Sequence, residues 1–188
     1  MTKPIPTPTD AYHSEMIDAL VAAGPLPEYA DKLMLFGRLV GGWDIDGKYF
    51  NPEGQVTQER QGEWHFGWVL EGRAIQDVIL TPPREERRRT GAPADDYGTA
   101  IRFYDPRIDA WWVIALTPVF GVIVNLIARP VGDEIVLEGR APDNKLYRWI
   151  FSDITDDTFR WRGYVSADEG RTWFMEEEIR GRRRAANL

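Results

Sequence analysis

Apolar residues recur at two different periods along the chain, and the change near Gly37 divides it. Over residues 10–23, Met16, Ile17, Leu20 and Val21 fall on one helical face, with Asp10 as N-cap and Gly24-Pro25 as a stop. A second helical turn is expected after Pro27, where Tyr29, Leu33, Leu35 and Phe36 gather before Gly37 breaks the run. Beyond it, short apolar or alternating stretches lie between turn residues, the pattern of strands. Ten are predicted: 38–50, 56–70, 73–81, 97–104, 110–117, 121–129, 134–140, 145–154, 158–166 and 171–180. The stretch 121–129, GVIVNLIAR, is the ambiguous one, because its nearly continuous apolar run also suits a buried helix. Val122, Ile123 and Val124 turn it toward the extended form.

The connections Leu70-Glu71-Gly72-Arg73, Asp105-Pro106-Arg107-Ile108-Asp109 and Ala141-Pro142-Asp143-Asn144 are hairpin turns, so sequence neighbours should pair antiparallel. The expected fold is therefore mainly β, a closed up-and-down antiparallel barrel of about ten strands. Closure removes the edges that would otherwise template aggregation. A helical segment, 1–36, packs on this barrel, 37–188, within a single domain. The loop 82–96, rich in Pro, Arg and Asp, is long enough to be a lid or a disordered segment.

Composition narrows the chemistry. The chain has 188 residues and no cysteine, and only His13 and His65 could supply imidazole, so a metal site is not expected. A net charge of −7 makes nucleic acid an improbable partner. The basic runs at 84–89 and 180–184 read as solvated charge. Neither an apolar leader nor a run of about 20 apolar residues is present, so a cytoplasmic protein with no membrane contact is expected. Eight Trp, seven Tyr and eight Phe are many for this length, and such rings line pockets for flat ligands as well as filling cores.

GGWDIDGK at 41–48 has the spacing of a phosphate loop, yet Tyr49 stands where Ser or Thr would hold magnesium and no helix follows. As a calcium loop it fails at Lys48. SADEGRTW at 166–173 fits the pattern of an Asp-box turn, in which Asp168, Gly170, Thr172 and Trp173 are structural. Together with GGW opening the first strand, GEWHFGWVLEGRAIQDV and YGTAIRFYDPRIDAWWV, these residues resemble the calycin (lipocalin-like) barrels of bacteria of the DUF1579 type. The resemblance implies a barrel with an internal cavity, with Trp43 plugging its closed end. It implies no catalytic set. Haem, bound by barrels of similar shape, is not expected, because no histidine lies near the chain end.

In Trp64-His65-Phe66-Gly67-Trp68 alternation places His65 opposite Trp64 and Trp68. If the indoles face inward they form a stacking wall, and if His65 does it is a candidate general base. Asp77 is the second catalytic candidate. Arg102, Tyr104, Arg162, Tyr164 and Glu176 are polar residues in apolar strands that could meet a ligand, and Trp112, Tyr147 and Trp149 are further ring candidates. The expected function is a carrier or sensor for a small apolar or aromatic molecule. The alternative is a cofactor-free isomerase, cyclase or lyase acting on such a ligand by acid–base catalysis. No cofactor is called for, and a homodimer is allowed.

Overall fold

The computed structural model describes residues 10–185, with side chains from Glu15 onward. Its strands are β1 (Gly41–Phe50), β2 (Val56–Val69), β3 (Ala74–Thr81), β4 (Asp96–Asp105), β5 (Ala110–Thr117), β6 (Val122–Val131), β7 (Glu134–Arg140), β8 (Leu146–Ser152), β9 (Thr158–Ser166) and β10 (Phe174–Arg183). Each pairs antiparallel with its sequence neighbours, and β1 pairs with β10 to close a ten-stranded barrel. The ambiguous stretch is a strand, β6: Val124, Leu126 and Ala128 turn inward and are buried, while Ile123, Asn125 and Arg129 are exposed.

Bulky inward residues meet across the lumen, and this packing selects the register. Trp43 is fully buried, its indole N–H donating to the Leu39 carbonyl at 2.8 Å and its ring lying edge-on to Phe159 at 4.8 Å. The Arg183 guanidinium covers the same indole at 4.1 Å. A 3₁₀ turn (Pro27–Tyr29) leads into α2 (Ala30–Gly37), which plugs this end. Leu33 and Phe36 of α2 are buried, and the Phe36 ring meets Trp111 edge-on at 5.0 Å. Gly37 is required there, because an added Cβ would lie 2.7 Å from the Trp68 indole.

Two expectations change. Helix α1 (Asp10–Leu20) joins the barrel by backbone bonds, Leu70 N–H to the Leu20 carbonyl and Ala22 N–H to the Trp68 carbonyl, each 2.9 Å. Its apolar stripe, however, leaves Met16 60% and Ile17 48% exposed, so α2 rather than α1 packs the helical segment onto the barrel. The proposed cap at Asp10 lies outside the described side chains. The loop 82–96 contains a helix, α3 (Arg84–Thr90). Glu85 and Glu86 in its first turn and Arg87, Arg88 and Arg89 in its last complement the helix dipole, and Gly91 closes it at φ 71°.

Among the described residues no helix is long and apolar enough to cross a membrane, and no group of three or more His, Asp or Glu is placed to hold a metal ion.

Candidate functional site

Between the α2 plug and the far end the lumen keeps a cavity of about 120 Å³. Its wall is aromatic: Trp64 lies 5.6 Å from Phe151 and 6.1 Å from Trp161, and Trp149 lies 5.6 Å from Trp161. Toward the open end the cavity shares Asp96, Thr117, Trp149 and Glu177 with a wider vestibule of about 500 Å³.

The deep side of the cavity carries an ion pair. Asp77 on β3 and Arg102 on β4 both face inward, both are buried, and the Arg102 guanidinium donates to the Asp77 carboxylate, which also accepts the Ala100 N–H at 3.2 Å. Phe36 and Phe66 flank the guanidinium at 5.0 and 5.4 Å. Arg102 Nε and Nη1 and the Trp64 indole N–H are buried and make no hydrogen bond among the described residues.

The outer side of the cavity is acidic. Burial pushes the Glu177 carboxyl up to about 8, reinforced by Asp96 and Glu176, although the Tyr49 hydroxyl donates to it. Burial also raises Asp96 and Glu176 above their ordinary values, and one buried oxygen of Asp96 has no donor among the described residues. Arg60 shares a recess with Tyr49, Asp96 and Glu177 at this end.

Trp64, Asp77, Arg102 and Trp149 therefore meet at one cavity, while Tyr147 and Glu176 line the vestibule. Trp68 faces inward but is spent against Gly37, and Tyr104 sits at the plugged end, its hydroxyl donating to Asp109 at 2.7 Å. The others are on the outer surface. His65 turns away from the lumen, and its Nε2 lies 2.8 Å from Glu63 and 3.1 Å from Arg84, so it is no general base for a ligand in the cavity. Arg162 binds Glu134 at 2.6 Å and Ser152 at 3.2 Å, Tyr164 shares its face, and Trp112 donates its indole N–H to Asp105.

Glu63, 2% exposed, anchors α3 from outside. It accepts the Arg84 backbone N–H at 2.6 Å and the guanidinia of Arg84 and Arg184 at 2.9 Å each. Burial alone would raise this carboxyl, but the hydrogen bonds from His65 and Arg84 prevail and hold it down to about 2. The turn at 166–173 is likewise local: Asp168 accepts the Thr172 N–H at 2.9 Å and hydroxyl at 2.6 Å, Gly170 takes φ 79°, and the Trp173 indole donates to the Gly170 carbonyl.

Sequence reasoning missed Trp161, Phe151, Asp96 and Glu177. The alternation Phe159, Trp161, Gly163 against Arg160, Arg162, Tyr164 was a usable signal, since the apolar set is the inward one. Glu177 was hidden by a bulge between Met175 and Glu177, which shifts the pairing so that Glu177 stands opposite inward Gly163.

No protein-family model and no curated protein sequence matches the chain. The DUF1579 and Asp-box resemblances thus find no support there, and the barrel itself is what stands. Among solved structures, the S-type phycobiliprotein lyase CPES from Guillardia theta is similar over 86% of this chain and 99% of its own, at 12% identity and a TM-score of 0.52. The redesigned β-barrel mFAP0 bound to DFHBI is similar over 77% of this chain and 95% of its own, at 14% identity and a TM-score of 0.37. A second redesign, mFAP1 bound to DFHBI, covers 78% and 95%, at 13% identity and a TM-score of 0.36. At this identity the likeness to the lyase is one of fold: both chains form a closed antiparallel β-barrel.

Proposed function

We propose that the protein binds a small, neutral aromatic molecule inside the barrel. The ring lies among Trp64, Trp149 and Trp161, with an oxygen turned to the free N–H groups of Arg102 and Trp64. One observation carries this reading: buried donors without acceptors border an aromatic cavity. A donor left unmade in a dry site costs about 1–3 kcal/mol, which a ligand oxygen would restore. The cavity suits a single ring, since an apolar cavity of about 150 Å³ is known to take benzene. A larger ligand would extend into the vestibule. Asp77 already neutralises Arg102, so a carboxylate ligand would bring an uncompensated charge, and a phenol or aryl ketone fits better. The lyase shares the fold of such a container, and the container is all that is carried over from it.

Titration of tryptophan fluorescence with phenol, acetophenone, benzene and benzoate tests the reading. The neutral oxygenated rings should bind with a Kd on the order of 10–100 µM, at least about tenfold tighter than benzene or benzoate. No quenching by any of the four, with the cavity residues intact, would end the proposal.

Acid–base chemistry on the same ligand is a second reading, favoured by Glu177, whose carboxyl stays protonated to about pH 8 beside the cavity. A positioned general acid contributes about 10²–10⁴ in rate. In that case Glu177→Gln keeps ligand affinity and removes turnover.

A further inference from the structure

Outside the lumen, the surface over β4, β5 and β6 breaks the rule that the outer face of a barrel in water is polar. Phe103, Trp112, Ile114, Leu116 and Ile123 point outward and are 39, 39, 37, 38 and 45% exposed. Their register makes them one patch: Phe103 stands opposite Trp112, Leu116 opposite Ile123, and Ile114 between Ile101 and Asn125. None of the outward positions of 97–103, 112–116 and 123–127 carries a charged residue. β5, AWWVIALT, is apolar on both faces, which is the pattern of a strand covered on both. Beside the patch, toward the open end, a groove of about 430 Å³ runs between Val78, Tyr97, Leu116 and Val119.

We propose that this face is the two-fold interface of a homodimer. Charge selects a second copy as the occupant. With a net −7 per chain, two copies repel over most approaches, and an anionic membrane repels each of them, whereas here they meet without any formal charge. The size agrees: the exposed fractions, taken with side-chain areas of about 150–250 Å² for the rings and somewhat less for the aliphatics, give roughly 300–400 Å² of apolar surface. An ordinary polar rim brings that to about 600–700 Å² per partner, the lower part of the range of a standard interface. Shape agrees as well. Trp112 lies two residues from Ile114 toward the plugged end and Leu116 two residues toward the groove. A two-fold axis crossing the strands at Ile114 sets Trp112 of each copy over the groove of the other, the self-complementary arrangement a C2 contact requires.

Sedimentation equilibrium decides it, independently of what the cavity binds. The wild-type chain is expected to sediment at twice its own mass at about 100 µM. Ile114→Glu should halve that mass with unchanged far-UV circular dichroism, and Trp112→Ala should weaken association at least about tenfold. A wild-type chain that sediments as a monomer overturns the proposal, as does an Ile114→Glu protein that remains dimeric. A monomeric wild type that floats with phosphatidylcholine vesicles would overturn it too, and would assign the face to lipid.

Discussion

Arg102 meets Asp77 inside the barrel as an ion pair in which each side chain is 2% exposed. Breaking such a pair from one side strands a charge, at a cost of about 3–5 kcal/mol. Asp77→Asn and Arg102→Met should each lose that much in urea denaturation, and the double variant should recover at least half of the summed loss. Additive losses would mean that the two charges do not depend on each other.

Trp64 and His65 are adjacent in sequence and lie on opposite sides of the barrel wall. Trp64→Leu should weaken phenol binding at least about tenfold by removing a stacking surface, and His65→Ala should leave it unchanged. Equal losses from both variants, measured by calorimetry on folded protein, would place His65 in the site after all.

Glu177 makes stability fall with rising pH. Its carboxyl is protonated in the fold up to about pH 8 but ionises near 4.5 once unfolded, so its contribution is full below about 4.5 and is lost as pH climbs through 8. Glu177→Gln should remove that slope and raise the melting temperature at pH 8.5 by at least about 3 °C, roughly what 1 kcal/mol gives in a chain of this size. A parallel slope in both proteins would exclude Glu177 as its source.

Glu63 acts in the opposite sense. Its carboxyl is held down to about 2, so the stability it supplies is present above about 4.5 and disappears as pH falls toward 2. Glu63→Gln should shift acid unfolding to higher pH. It should also loosen α3, speeding tryptic cleavage at residues 84–89 at least about tenfold. Unchanged cleavage would show that α3 is held by something other than this carboxylate.

The barrel was legible because hairpin turns and alternation are local signals: eight of the ten predicted strands match the observed ones to within two residues at their start. The exceptions are instructive. β1 begins three residues late because Arg38 caps the plug instead, its side chain bonding back to the Leu35 carbonyl. β10 is displaced toward its C-terminal end because the turn at 166–173 holds Thr172 to Asp168, and RGRR becomes strand rather than solvated tail. The site was legible only in part. Trp64, Asp77, Arg102 and Trp149 could be named, but which face looks inward depends on a register set by contacts between distant strands, as with Arg162, Tyr164 and His65. Helix α3 escaped because a short charged helix has no apolar period, and a carboxylate twenty-one residues away fastens it.

The pairing of Trp43 with Arg183 joins the first strand to the last, and it bears on how the protein is made. A ribosome delivers β1 through β9 with a seam still open, and for that interval the polar edge of β1 and the lumen's indoles face solvent or a chaperone. Closure waits for the final ten-residue strand, so a truncation just before Phe174 removes the one stave that pairs with both β1 and β9 and leaves two unpaired edges.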